Sequence, residues 1–232
     1  MRTAQVPEPL TRSVEDYLKV IYRLCAKGRH AATSDIADRL GLSAPSVSGM
    51  IKRLTEQGLL EHLPYRGTEL TREGRRIALR MLRRHRLIEA YLVAFLGFGW
   101  DNVHEEAERL EHAVSDTLID RMAAALGNPR FDPHGDPIPD ADGSISELVY
   151  TPLAELAPGD TAEIRQVDTS NPDRLRYIAS FGLVPGAVVV VEDVQPFHGP
   201  ITLRVGGKRK VIGSEIGCLL LCSRRGAAGV RA

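Results

Sequence analysis

A stretch of prolines, glycines and aspartates at 128–144, NPRFDPHGDPIPDADGS, separates two hydrophobic patterns that suit different kinds of fold. Before it, apolar residues recur roughly every three to four positions, the spacing of amphipathic helices. From Leu153 they fall into short β-type runs, TAEIRQVD, AVVVVEDV, ITLRV, KRKVIG and CLLLC, with one helical segment, PDRLRYIASFG, among them. The expected fold is mainly α with a small barrel-like β domain carrying one helical insertion. The dividing stretch reads as loop and linker.

The helical half is punctuated clearly. SVEDYLKVIYRLCAKG opens at Ser13 and is stopped by Gly28; TSDIADRLG ends at Gly41; SAPSVSGMIKRLTEQG is capped by Ser43, tolerates Pro45 in its first turn and closes at Gly58. LLEHLPYRGTEL then has the form of two short strands around a Pro64–Gly67 turn. Three helices and a hairpin in that order describe a winged helix-turn-helix. Its third helix places Ser43, Ser46, Ser48, Lys52 and Arg53 away from the apolar set Val47, Met50, Ile51 and Leu54. Small hydroxyls at the start of a recognition helix can approach base edges and phosphates, and Lys or Arg farther along neutralise phosphates. Arg66, beside Tyr65 at the hairpin tip, is where a wing would reach the backbone. An ordinary helical subdomain is the plainer alternative.

Charge supports the DNA reading, although the whole chain is formally neutral. Residues 1–100 carry 17 Lys and Arg against 10 Asp and Glu, a net of +7. Residues 101–160 carry 3 against 14, a net of −11, and residues 161–232 carry 10 against 6, a net of +4. A basic front suits a polyanion and an acidic centre suits a cation. Within that centre His104–His112 reads HEEAERLEH. On a wheel of about 100° per residue, His104, Glu108, Glu111 and His112 share one arc beside the apolar stripe Val103, Ala107, Leu110, Val114 and Leu118. The segment 101–127 is expected to form one helix, and 71–97 a long one before it.

The order DYLKVIYRL, SDIADRLGLSAPSVSGMIKRLTEQGLLEH, YRGTELTREGRRIA, RRHRLIEAYL, HEEAERLEHAVSD and GDPIP resembles the metal-dependent repressors of the diphtheria-toxin-repressor (DtxR) and MntR family. The likeness spans residues 13–139, and the tail, including GLVPG at Gly182–Gly186, resembles the SH3-like or FeoA-like domain of longer members. It implies a winged helix-turn-helix domain at 1–72, a helical metal-binding and dimerisation domain at 73–140, a linker at 141–152 and an SH3-like β-barrel at 153–232. It also implies a homodimer on a palindromic double-stranded operator, with Pro45 joining the serines, Lys52, Arg53 and Arg66 at the DNA. Two ion sites per subunit follow: His85, Glu89 and His104 form one, and Asp16, Glu108, Glu111 and His112 the other. Iron-sensing members often have cysteine where Glu108 stands and methionine where Asp16 stands. Carboxylates at both positions point to Mn²⁺, with Fe²⁺ the alternative. Lys19 replaces a glutamate common in manganese sensors, which argues against a closely spaced ion pair. Asp168 and Asp173 are further candidates from the β domain.

Each ligand has an ordinary reading as well. Asp16 stands three residues after Ser13 and could complete a capping box, and Glu108 and Glu111 could be a solvated face. An enzyme is poorly supported. HEEAE starts like the zinc-protease signature but has Glu108 in place of the second histidine, and no nucleophile elbow, Walker loop or dinucleotide fingerprint is present. A winged-helix repressor of an organic ligand would leave both acid–imidazole groups without a purpose. The three cysteines, Cys25, Cys218 and Cys222, have neither disulfide-framework nor thiolate-metal spacing. With no membrane-length apolar run and no signal-peptide core in MRTAQVPEPLTRS, a cytoplasmic location is expected, and the family resemblance implies a repressor of metal-uptake genes.

Overall fold

The computed structural model describes residues 11–25, 30–63, 66–146 and 148–225. The expected helix stop at Gly28 and the turn residues Pro64 and Tyr65 lie outside the described residues. The chain divides into two units: one reaches to Arg84 and includes Pro139–Ile145, and the other comprises His85–Ile138 and the chain from Ser146 onward.

The first unit holds helices α1 (Arg12–Cys25), α2 (Thr33–Leu40) and α3 (Ala44–Glu56), a hairpin of β1 (Leu60–Leu63) and β2 (Gly67–Leu70), and the start of α4 (Arg72–Leu96). Gly41 ends α2 in the left-handed conformation, φ 65°, which costs a glycine nothing and turns the chain into α3. Val14, Tyr17, Leu18, Ile21, Ile36, Val47, Ile51 and Leu54 close a single apolar core between the three helices. The hairpin pairs Leu60 with Leu70 and Leu63 with Gly67, and Ala31 bridges Thr68 beside it. This is the expected winged helix-turn-helix arrangement, with α3 as the second helix of the motif.

In the second unit, the remainder of α4 packs with α5 (Val103–Leu110) and α6 (Asp116–Ala125) around Leu87, Ile88, Val103, Ala107 and Ile119. The single helix expected over 101–127 is broken. Ser115 takes an extended backbone, and its hydroxyl accepts a hydrogen bond from the Leu118 amide, so the residue capping α6 also ends the run from α5. Leu118, expected in the apolar stripe, is consequently exposed.

The rest of this unit is a six-stranded antiparallel sheet in the order β3-β8-β4-β5-β6-β7, formed by β3 (Thr151–Pro152), β4 (Thr161–Val167), β5 (Val188–Val194), β6 (Ile201–Val205), β7 (Lys208–Ile212) and β8 (Leu220–Arg224). Helices α7 (Pro172–Ser180) and α8 (Ser214–Leu219) accompany it. Among the described residues the sheet is antiparallel with β3 and β7 at its two edges. One edge is only two residues long and contains Pro152, whose nitrogen has no proton to extend a ladder. The other carries the exposed Lys208 and Arg209, side chains that discourage edge pairing. A core of Leu153, Ile164, Leu175, Val189, Leu203 and Leu220 lies within this domain, with Trp100 packed against it.

Candidate metal centre

Helix α4 supplies His85 and Glu89, one turn apart, and α5 presents His104 and Glu108 one turn apart to meet them. Glu111 and His112 follow α5 directly, where the Glu111 amide still bonds to the Ala107 carbonyl and continues the helical path. The result is a tight group of imidazoles and carboxylates. His85 Nδ1 donates to Glu111 Oε2 at 2.5 Å, and His85 Nε2 lies 3.1 Å from Glu89 Oε1 and 3.0 Å from His104 Nδ1. His104 also reaches Glu89 Oε1 at 3.1 Å and Glu108 Oε1 at 3.6 Å, while His112 Nε2 lies 3.3 Å from Glu111 Oε1. His85, Glu89 and Glu111 are buried, and Glu108 is partly open.

Electrostatics sets the protonation of this group. Burial opposes charge on His85, but Glu89 and Glu111 outweigh it and raise its pKa to about 9. Burial alone would raise Glu89; the His85 charge and the bonds from both imidazoles hold its carboxyl well below the usual range. In the absence of an ion, a proton on His85 is thus the positive charge that these buried carboxylates gather around.

The expected site residues of the second unit are brought together, with Glu108, Glu111 and His112 in their expected group and His85 and His104 joined by Glu108. Donor atoms of His85, His104 and Glu108 lie within 4.8 Å of one another, as do those of Glu108, Glu111 and His112. Glu89, expected beside His85 and His104, contacts both but also joins a third cluster with Asp132 and His134. Asp16 belongs to the first unit, on α1, where its Oδ2 lies 3.9 Å from Arg12 Nε. Lys19 on the same helix is buried. Asp168 donates its backbone amide to the Leu219 carbonyl, and Asp173 pairs with Arg176; neither is in the clusters.

The Asp132–His134 cluster was not legible in a segment that reads as exposed linker. His134 Nε2 donates to the Trp100 carbonyl at 2.7 Å and its ring stacks on the indole, which leaves Nδ1 directed to Glu89 Oε2, 3.8 Å away. A backbone carbonyl fixing the far imidazole nitrogen is a common support for an ion-binding histidine. Asp132 Oδ1 accepts from the amides of His134 and Asp136. Burial first, and then the charges of Asp136 and Glu89, push the Asp132 carboxyl well above its ordinary value. Arg86 donates to the Pro137 carbonyl and to Asp136, and Gln166 of β4 donates to the same Asp136 oxygen. The Val167 amide donates to the His134 carbonyl. Gly135, at φ 87°, lets the loop approach β4 so closely that a Cβ there would sit 1.9 Å from the Arg165 carbonyl oxygen. The signal available in the sequence was the pairing of carboxylate and imidazole in FDPH, two residues apart.

These donors are oxygen and imidazole nitrogen, with no thiolate, and the clusters place several carboxylates in poor contact with water. Such a set fits a divalent cation of hard or intermediate character, such as Mn²⁺ or Fe²⁺.

On the first unit, Ser43, Pro45, Ser46, Ser48, Lys52 and Arg53 all lie on the exposed side of α3, opposite buried Val47, Ile51 and Leu54. Arg66 is exposed at the hairpin.

Comparison with known proteins then decides the family. The iron-dependent repressor N-terminal DNA-binding domain matches residues 9–68, its metal-binding and dimerisation domain matches 71–140, and the FeoA domain matches 151–224. The iron-dependent repressor IdeR of Mycobacterium leprae is 36% identical over 216 residues, covering 84% of this chain and 93% of the relative. The chain belongs to the iron-dependent repressor family. Another relative of this repressor, the diphtheria toxin repressor of Corynebacterium glutamicum, is 38% identical over 196 residues, with 80% and 86% of the two chains covered. A solved manganese-dependent transcriptional repressor in complex with manganese superposes with a TM-score of 0.85 at 40% identity, over 91% of this chain and 100% of that one. The manganese regulator SloR gives 0.76 at 31% identity, over 93% and 100%. Among the described residues of this repressor, no helix is long and apolar enough to cross a membrane.

Proposed function

We propose that this metal-dependent, DNA-binding repressor is activated by Mn²⁺, with Fe²⁺ as the alternative ion, and that it silences metal-uptake genes in the cytoplasm. The observation that carries the choice of ion is the sulfur-free donor set: His85, His104, Glu108, Glu111 and His112, with Glu89 between that group and Asp132 and His134. Glu108, Glu111 and His112 hold one ion, and His85, Glu89 and His104 a second. Asp16 is carried by α1 of the first unit, and its part in ion binding is proposed from the family resemblance alone. A bound ion supplies positive charge that the carboxylates share.

This chain's own residues do the rest. Glu89 and Glu111 orient His85 from both ring nitrogens, and His85 would have to release its proton to serve as a ligand. An arrangement of α4 and α5 that presents all donors at once would be favoured on ion binding, and the population would move toward it. Ser43, Pro45, Ser46, Ser48, Lys52, Arg53 and Arg66 form the DNA-facing surface, and a homodimer places two copies on a palindromic operator. Exposed Phe95, Leu96 and Phe98 at the end of α4, with Leu118 on α6, supply an apolar face for the second copy.

The test uses a duplex selected from a randomised pool with Mn²⁺-loaded protein. Chelation should abolish binding to that duplex, and Mn²⁺ or Fe²⁺ should restore it under anaerobic conditions. Binding indifferent to chelation would favour a regulator of an organic ligand.

A further inference from the structure

The sheet of the second unit buries one face and lines the other with arginine. Cross-strand partners share a face, so the registers Glu163↔Val188, Val190↔Arg204 and Arg204↔Arg209 put these residues on one side, away from buried Ala162, Val189 and Leu203. Two sets of the same kind stand on that side. Arg204 Nη2 donates to Glu192 Oε1 at 2.6 Å, and Arg209 Nε donates to Glu192 Oε2 at 3.1 Å. Arg165 Nη1 donates to Glu163 Oε1 at 2.7 Å, and Arg225 Nη2 donates to Glu163 Oε2 at 3.0 Å. Each carboxylate thus engages one guanidinium on each oxygen, and two positive charges against one negative leave each set at +1. The carboxylates are the deeper members, with Glu163 19% and Glu192 24% exposed, whereas Arg204, Arg209 and Arg225 are more than half exposed. Like charges directly opposite on neighbouring strands destabilise a sheet, and Arg204 and Arg209 are such a pair. One shared carboxylate holds them together and leaves both facing solvent.

We propose that this face is a second DNA-contacting surface, which takes the phosphodiester backbone through Arg204 and Arg209 and through Arg165 and Arg225. It is separate in the chain from the winged helix-turn-helix, and its contacts add affinity without reading sequence. Charge complementarity selects the partner, because the chain belongs to a DNA-binding family and DNA is the polyanion such a protein meets. A guanidinium fits a phosphate with two parallel bonds and is weakly hydrated. The carboxylates beneath also limit the freedom each arginine has to lose on binding. A second copy of this face is a poor partner, since two such surfaces repel. The proposal does not depend on which ion activates the repressor.

The test measures affinity against NaCl concentration for the Mn²⁺-loaded full chain, on the duplex selected by the wild type and on an unrelated duplex of equal length. Each phosphate contact contributes about 0.9 to the slope of log affinity against log salt. Arg204→Gln combined with Arg209→Gln should lower that slope by roughly two for each subunit that touches the duplex, and weaken binding roughly ten- to a hundredfold, on both duplexes alike. Arg204→Lys combined with Arg209→Lys keeps the charge and should keep the slope. Lys210→Gln is the control: Lys210 pairs with buried Leu203 on the other side of the strand, its ammonium lies over the Phe181 ring, and the slope should not change. Arg209→Gln alone should lower the slope by roughly one per subunit, which covers a double variant that fails to fold. An unchanged slope in the Gln variants would overturn the proposal. So would an equal fall in Lys210→Gln, which would report overall charge and not this face, or a loss confined to the selected duplex. Binding of polyglutamate that the double Gln variant loses, with DNA binding intact, would assign the face to an acidic protein and overturn it as well.

Discussion

His85 cannot bind a cation and a proton on the same nitrogen, so its surroundings predict how ion affinity depends on pH. The side chain is 1% exposed, and Glu89 and Glu111 overcome the cost of burial to raise its pKa from 6.5 to about 9. At pH 7 the ion-free protein therefore holds this proton about two pH units below its release. At about 1.4 kcal/mol per unit, displacing it costs an entering ion roughly 3 kcal/mol, or about a hundredfold in apparent affinity. The sign follows from linkage. A pKa raised on folding stabilises the ion-free protein fully below pH 6.5, and that contribution is lost as pH rises through about 9. Ion binding gains what the proton loses, so Mn²⁺ affinity should climb close to tenfold per unit from pH 7 to 8.5. The assay is competition against a fluorescent chelator under anaerobic conditions, in wild type and in His85→Gln. The part of the pH slope due to this proton should disappear in the variant. Equal slopes in the two proteins would refute the reasoning, because the proton released would then come from elsewhere.

Glu111→Ala removes a fully buried carboxylate from His85 and should lower metal activation at least tenfold while leaving the salt slope of DNA binding unchanged; Lys52→Ala should do the reverse, as read by operator binding against Mn²⁺ and against NaCl. Gly135→Ala forces a side chain against the Arg165 carbonyl at a positive φ and should destabilise the second unit by about 2–4 kcal/mol in urea unfolding; an unchanged midpoint would contradict the tight approach of loop and sheet. Burial pushes the Cys222 thiol from 9.0 up to about 12, so its neutral form favours folding: stability should fall by about 1.4 kcal/mol per unit as pH rises from 9 toward 12, and Cys222→Ala should lack that component in pH-dependent melting. Leu96→Glu, at a residue 60% exposed, should shift the protein from dimer to monomer in sedimentation equilibrium, whereas a dimer of wild-type strength would move the interface elsewhere.

The first unit was readable because its punctuation is local. Gly41, Ser43 and Pro45 act within a few residues of themselves, and the serines and basic residues of α3 separate from its apolar face by periodicity alone. The clustered imidazoles and carboxylates on α4 and α5 were readable for the same reason, since one-turn spacing puts His85 with Glu89 and His104 with Glu108. Ser115 escaped notice because a serine inside an apolar period looks like a solvent-facing position until its hydroxyl is seen to cap α6. Asp132 and His134 escaped because their burial depends on residues remote in the chain, Arg86, Trp100 and Gln166, and nothing near them announces it. The alternation in the tail identified strands, but alternation sets which face is buried and not which strands pair. The strand order, with β3 and β7 at its edges, therefore came only with the structure.

The central claim is that ion and operator are bound by one coupled equilibrium, and its most direct test is reciprocal titration. Mn²⁺ affinity measured with and without saturating operator should change by the same factor as operator affinity measured with and without saturating Mn²⁺. Mn²⁺ that binds equally well whether or not the duplex is present would contradict it.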